Sequence, residues 1–155
     1  MQKLSLLLLS LLMAAVAGCT KEEKDDIYPE IKMDCCGGYP VNCDEIKRGT
    51  TFTFIAEFSD NKELGAFSLD IHHNFDHHTH STDPMPCEFE PVKSPVNPFR
   101  LISEYEIPVG SKNYAASVDI FIPADADTGD YHMMVRLTDK AGWQTIKGIS
   151  FKVIE

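Results

Sequence analysis

The residues with the clearest potential for chemistry are histidines. The chain has six, and five of them fall within the nine residues 72–80. These five are His72, His73, His77, His78 and His80, and Asp76 lies among them. Neutral imidazole is the commonest side-chain ligand of zinc and copper. The clustering therefore predicts a transition-metal site, with Asp76 either as a ligand or as the acceptor that orients one.

The elements that must position these histidines are β-strands, because apolar and polar residues alternate and no segment after the N-terminus shows a convincing helical period. About seven strands are predicted, at Ile27–Met33, Phe52–Phe58, Phe67–His72, Leu101–Ile107, Val118–Ile122, Tyr131–Leu137 and Phe151–Val153. Turn signals separate them, which favours an all-β, immunoglobulin-like antiparallel β-sandwich. The sequence Asp-Thr-Gly-Asp-Tyr at 127–131 resembles the tyrosine corner that begins strand F of such domains.

This fold brings the sixth histidine, His132, to the same place as the other five. If the apolar residues of 67–71 face the core, His72 points outward at the end of its strand. By the same alternation His132 points outward at the beginning of strand F. Strands C and F are antiparallel neighbours in an immunoglobulin-like sheet, so the end of one lies beside the start of the other. We therefore expect both imidazoles to share one edge, under the loop that carries His77, His78 and His80.

The N-terminus predicts export. Lys3 precedes an apolar run at 4–17 that ends in Val-Ala-Gly-Cys, which resembles a bacterial lipobox with Cys19 as the lipidated residue. These 14 residues are short of the ~20 needed to span a bilayer. We expect a signal peptide at 1–18, a lipidated cysteine and polar linker at 19–26, and one domain at 27–155. Residues 19–23 are similar to the surface-export signal of Bacteroidetes lipoproteins, so the expected location is the outer membrane, with surface exposure.

The remaining cysteines predict a disulfide framework. They are Cys35, Cys36, Cys43 and Cys87, and four cysteines in an exported chain indicate two disulfides. A bond between the adjacent pair is strained. Two pairings therefore stay open: Cys35–Cys43 with Cys36–Cys87, or Cys36–Cys43 with Cys35–Cys87. The alternative is a thiolate metal site, which an oxidising compartment disfavours.

The charge of the chain excludes one class of partner. It has 14 basic and 24 acidic side chains, a formal net charge of -10 and a pI of about 4.9. Nucleic acids and anionic membrane surfaces repel an acidic protein. We therefore expect no nucleic-acid partner, and membrane attachment through the lipid anchor only.

Two segments resemble a known family. Residues 70–80 read Asp-Ile-His-His-Asn-Phe-Asp-His-His-Thr-His, and Gly-Asp-Tyr-His follows at 129–132. Together they resemble the Bacteroidetes lipoprotein family known as domain of unknown function 4625, over residues 27–154. The resemblance implies an immunoglobulin-like domain on a lipid anchor and brings no established activity. His73 and His77 fall on variable positions of the family pattern, which leaves a core ligand set of His72, His78, His80 and His132.

Three functions remain as hypotheses. The preferred one is a cell-envelope protein that binds zinc or copper for uptake, buffering or transfer, with a TonB-dependent receptor as a candidate partner. The second is a metal-dependent envelope enzyme, since three histidines and an open position can activate water. The third is an adhesion or carbohydrate-binding module in which the histidines only stabilise a loop. A non-catalytic role is preferred because the sequence offers no Ser-His-Asp arrangement.

Overall fold

The computed structural model describes residues 24–34, 37–79 and 87–155, which form eight β-strands in two sheets. The strands are β1 (Glu30–Lys32), β2 (Asp44–Lys47), β3 (Thr51–Ser59), β4 (Leu64–His73), β5 (Leu101–Glu106), β6 (Asn113–Phe121), β7 (Gly129–Asp139) and β8 (Gln144–Ile154). One sheet has the order β1-β3-β6 and the other the order β2-β8-β7-β4-β5. The predicted all-β sandwich is confirmed.

Alternating apolar side chains build the core between the sheets. In β3 the residues Phe52, Phe54, Ala56 and Phe58 are buried, while those between them are exposed or half-buried. In the part of β4 that follows Ala66, the buried residues are Phe67, Leu69 and Ile71, which are at most 2% exposed. Burial of one strand face is what period-two alternation encodes. The opposite face of β4 is therefore left for polar residues, His72 among them.

The strand pairing that the site needs is present. Strand β4 lies beside β7, antiparallel, and the register places His72 directly opposite His132. These two strands occupy the positions of C and F in the predicted immunoglobulin-like order. The expected meeting of the two histidines is confirmed at the level of the backbone.

Strand β2 was not predicted. It has four residues, pairs in parallel with the end of β8, and buries only Ile46. A single apolar residue between charged neighbours gives no alternation to recognise. Its strand conformation depends on the edge of β8, which is distant in sequence.

Tyr131 forms the predicted tyrosine corner. Its side chain is buried, and its hydroxyl donates to the carbonyl of Asp127 over 2.8 Å. The hydroxyl oxygen of Tyr131 also accepts a hydrogen bond from the backbone N–H of Phe99 at 3.1 Å. Burial raises the pKa of the Tyr131 phenol above its ordinary value. The hydroxyl therefore stays protonated and ties the start of β7 to the segment before β5.

A Tyr131→Phe variant should be less stable than the wild type by about 1–3 kcal/mol, because two partly buried backbone groups lose a hydrogen-bond partner while the ring stays in place. Urea unfolding measures the difference. Tyr28→Phe is the matched control, since Tyr28 is 57% exposed and packs through its ring on Trp143. Equal losses in the two variants would contradict a special role for the corner.

The structure corrects both predicted disulfide pairings. A disulfide joins Cys43 to Cys87, with Cα atoms 5.5 Å apart. Both cysteines lie against the same residue of β8: the N–H of Cys43 donates to the carbonyl of Ser150, and the Cys87 sulfur lies 4.0 Å from that oxygen. The sequence analysis rejected the Cys43–Cys87 pair because it leaves the adjacent Cys35 and Cys36, and a bond between those two is strained. It could not show that β8 brings Cys43 and Cys87 together.

Several sequence predictions concern residues outside the described ranges. They are the signal peptide, the lipidated Cys19, and the cysteines Cys35 and Cys36. Within residues 24–34, 37–79 and 87–155, no helix is long and apolar enough to cross a membrane.

Candidate metal centre

Three imidazoles converge where β4 ends and β7 begins. His72 is the last but one residue of β4, His132 lies opposite it in β7, and His78 comes from the loop that follows β4. The ring centroids are 5.4 Å apart for His72 and His78, 5.9 Å for His72 and His132, and 5.4 Å for His78 and His132. One ligand nitrogen from each ring lies within 4.8 Å of those of the other two. We call these three residues the histidine trio.

His132 faces away from the core, as its parity predicts. Its neighbours Tyr131 and Met133 are fully buried in the core, so alternation places His132 on the outer side of the sheet. Even so, His132 is only 2% exposed. The rings of His72 and His78 lie against it there. His132 is therefore covered by two more accessible imidazoles. Strand parity predicts its direction but not this burial.

Carboxylates fix the orientation of the two upper rings. The Nδ1 of His72 lies 3.1 Å from Oδ1 of Asp70, and the Nδ1 of His78 lies 2.6 Å from Oδ1 of Asp76. An ionised carboxylate only accepts, so each Nδ1 carries the proton and donates it. The lone pair is then on Nε2 of each ring, the form in which imidazole binds a metal. The hydrogen bond from His78 lowers the pKa of Asp76, which keeps this acceptor ionised.

Asn74 is the corresponding partner of His132. Its side chain is fully buried, and its Nδ2 lies 2.9 Å from Nε2 of His132. In this orientation the amide donates to Nε2, and the amide Oδ1 has no hydrogen-bond partner among the described residues. With the amide reversed, Nε2–H would donate to Oδ1 and the lone pair would be on Nδ1. Metal binding by His132 through Nδ1 requires this second orientation.

The other predicted ligands lie elsewhere or outside the described residues. His77 adopts a left-handed backbone conformation, with φ of 57°, and its Nε2–H donates to the carbonyl of Glu90 over 2.9 Å. Its ring stacks on Phe89 with centroids 4.6 Å apart. His77 is therefore not part of the trio. Asp76 orients His78, and His80 lies outside the described residues.

The orienting residues Asp70 and Asn74 were missed by the sequence analysis. A signal for the carboxylates was present, because both carboxylate–histidine pairs have the spacing Asp-x-His, at 70–72 and at 76–78. In an extended strand, residues two apart point to the same side, which brings Asp70 beside His72. No comparable spacing links Asn74 to His132, since 58 residues separate them.

Comparison with protein families identifies the chain. The family described as domain of unknown function DUF4625 matches residues 17–154. The chain belongs to this family. The match covers both segments that carry the resemblance, and the trio therefore lies within the DUF4625 domain.

Solved structures similar to the DUF4625 domain are distant in sequence. One is a Niemann-Pick type C2 protein from the Japanese carpenter ant, at 13% identity and a TM-score of 0.43, over 81% of this chain and 89% of that one. Another is a chain of the complex between CaDoc0917 and CaCohA2, at 14% identity and a TM-score of 0.37, over 74% of this chain and 96% of that one. A search of curated proteins found no match.

Proposed function

We propose that this DUF4625 domain is a cell-envelope lipoprotein that binds a zinc or copper ion through His72, His78 and His132, for uptake, buffering or transfer. The observation that supports the proposal is the geometry of the trio, whose ligand nitrogens lie within 4.8 Å of one another. In each ring one nitrogen lies against a side chain able to orient the ring. Oriented imidazoles of this kind are typical of metal sites.

A bound ion would fix the separation of the three ligand nitrogens of the trio. Bonds of 2.0–2.1 Å in a tetrahedral zinc site place ligand nitrogens about 3.4 Å apart. His72 and His132 are on paired strands, whereas His78 is on a loop with its side chain 34% exposed. We therefore propose that His78 closes onto an ion held first by the other two. His80, two residues further along, is the proposed fourth ligand.

An imidazole site suits both zinc and copper. Neither ion needs a thiolate, and the Irving–Williams order favours Cu²⁺ over Zn²⁺ at equal geometry. The acidic surface of the domain, with a net charge of -10 for the chain, would raise the local concentration of cations. A TonB-dependent receptor in the same membrane is the proposed recipient or donor of the ion.

A binding role is preferred to a metal-dependent enzyme because of the state of Asp76. This carboxylate is the proton acceptor closest in sequence to His78, and its hydrogen bond to that ring lowers its pKa. A catalytic base works best with a pKa near the operating pH, which for a carboxylate means a raised value. Asp76 is therefore suited to orienting a ligand, and poorly suited to activating water.

The proposal is tested with tag-free protein freed of metal and titrated with zinc or copper by calorimetry at pH 7.5, followed by elemental analysis. We expect one ion per chain. Since imidazoles bind metal only when deprotonated and have an ordinary pKa of about 6.5, affinity should fall at acidic pH. Absence of binding of either ion at pH 7.5 would overturn the proposal.

An Asp76→Ala variant should bind the same ion about 10- to 100-fold more weakly, because His78 loses the acceptor that fixes its tautomer. Asp76 is exposed, so the fold should not change. The matched control is Asp125→Ala, which removes the same charge from an exposed position outside the trio. If both variants lose affinity equally, the effect is one of net charge and Asp76 has no orienting role.

A further inference from the structure

A second group of ligand-type side chains lies at the other end of the β4–β7 pair. Asp25 precedes β1, Asp60 follows β3, and Asp139 ends β7, where it pairs with the first residue of β4. One carboxylate oxygen from each lies within 4.8 Å of those of the other two. Three segments that are distant in sequence therefore bring three negative charges together. We call these residues the carboxylate cluster.

Asp139 is buried with an unused oxygen. The residue is 4% exposed, and its Oδ1 accepts from the backbone N–H of Trp143 at 2.8 Å. Its Oδ2 is buried and has no hydrogen-bond partner among the described residues. A buried carboxylate oxygen without a hydrogen-bond donor destabilises the folded protein. The destabilisation is larger for a charged group than for a neutral one. This oxygen therefore needs a positive partner.

Two further side-chain oxygens, one of Asp60 and one of Asn61, are also buried without a partner among the described residues. Asp60 uses Oδ2 to accept from the N–H groups of Lys62 and Glu63, while its Oδ1 is buried without a partner in the described part of the chain. The amide of Asn61 donates to Oδ1 of Asp25 over 3.0 Å, and its own Oδ1 is buried and similarly unsatisfied. Asn61 thus brings a neutral side-chain oxygen to the neighbourhood of Asp25, one member of the cluster.

The carboxylate cluster has no ion-pair partner of its own within the described part of the chain. Among the described residues, no lysine or arginine forms an ion pair with Asp25, Asp60 or Asp139. Like charges this close destabilise one another unless a cation lies between them. A set of carboxylate and amide oxygens without nitrogen or sulfur donors matches the preference of Ca²⁺, which accepts irregular geometry. Mg²⁺ fits less well, because it demands near-ideal octahedral coordination and keeps its water.

We propose that Asp25, Asp60 and Asp139, with the side-chain oxygen of Asn61, bind a calcium ion. Its structural role follows from the position of Asp25, which lies in the segment before β1. Trp143 donates from Nε1 to the carbonyl of Asp25 over 2.9 Å, so it contacts the cluster through two of its members. Calcium binding would fasten the segment before β1 to the turns at one end of the sandwich.

The test uses Trp143, the single tryptophan of the chain, as the reporter. Protein is freed of calcium with EGTA, titrated with Ca²⁺ to about 10 mM, and followed by tryptophan fluorescence and by thermal unfolding. Extracellular calcium sites commonly have Kd values of about 10⁻⁴–10⁻³ M, so we expect a saturable change and a rise in Tm of about 5–10 °C. Tb³⁺ in place of Ca²⁺ should luminesce on tryptophan excitation and be displaced by Ca²⁺.

The informative variant is Asp139→Asn, which keeps an oxygen for the N–H of Trp143 and removes one charge. Without calcium it should unfold at or above the wild-type Tm, because repulsion is relieved, and it should lose the calcium response. The matched control, Asp26→Asn, removes an exposed charge beside the cluster and should respond like the wild type. A His132→Ala variant should also keep the response. No calcium effect on the wild type, or equal losses in Asp26→Asn and Asp139→Asn, would overturn the proposal.

Discussion

A His132→Ala variant is expected to bind zinc or copper more than about 100-fold more weakly than the wild type. Loss of a residue that merely orients a ligand already costs about 10- to 100-fold, and His132 is itself a proposed ligand. It is also the buried member of the trio, against which both other rings rest. Calorimetric titration of both proteins at pH 7.5 measures the difference.

The control for this prediction is His77→Ala. His77 belongs to the same histidine-rich segment, but its ring bonds the carbonyl of Glu90 and stacks on Phe89. Its loss should leave the affinity within a few-fold of wild type. Because His132 is buried, its replacement could disturb packing, so His78→Ala provides a second variant from an exposed loop. A retained affinity in both ligand variants, or an equal loss in His77→Ala, would show that the trio is not the site.

A Phe67→Ala variant should be less stable than the wild type by about 3–5 kcal/mol, the usual cost of deleting a buried aromatic ring. Phe67 is 2% exposed and lies on β4, two residues before the buried Leu69. Its ring lies 4.8 Å from that of Tyr105, 5.0 Å from Phe58 and 6.3 Å from Phe54. It therefore packs on rings of both sheets, and the cavity left behind cannot easily close.

Chemical unfolding followed by circular dichroism measures this loss. Phe121→Ala is the matched control, because the same atoms are removed from a ring in β6 that is 56% exposed. We expect that variant to lie within about 0.5 kcal/mol of wild type, as most surface substitutions do. Similar losses at the two positions would mean that Phe67 is not a centre of the core.

Most of the fold was predictable because burial repeats with the period of a strand. Apolar and polar residues alternate regularly over Phe52–Phe58 and Phe67–Ile71. The sequence alone therefore predicts which side chains of these strands face the core. Strand β2 was missed, since a single buried residue has no period. The Cys43–Cys87 disulfide was missed for a related reason: both cysteines meet on Ser150, and spacing along the chain does not encode that contact.

Of the candidate site, only the part that lies on paired strands was predictable from the sequence. Alternation and antiparallel order placed His72 beside His132, and the register confirms it. Loop conformation decides the rest. The strand pattern placed His77 and His78 on the same loop, and only the family resemblance left His77 out of the core ligand set. The left-handed backbone at His77 sends the two rings to different partners. The carboxylate cluster had no sequence signal, because its members come from three separate segments.

The disulfide has a consequence for the loop that carries His78. That loop leaves β4 after His73, and Cys87, nine residues after His78, is bonded to Cys43 beside β8. His78 thus lies between two anchored points of the chain, the end of β4 and Cys87, so the entropy lost when His78 closes on an ion is partly lost already during oxidative folding. A thiol–disulfide change at these cysteines, which contact the β8 residue Ser150 opposite His132, would then alter how readily the ion is captured and released.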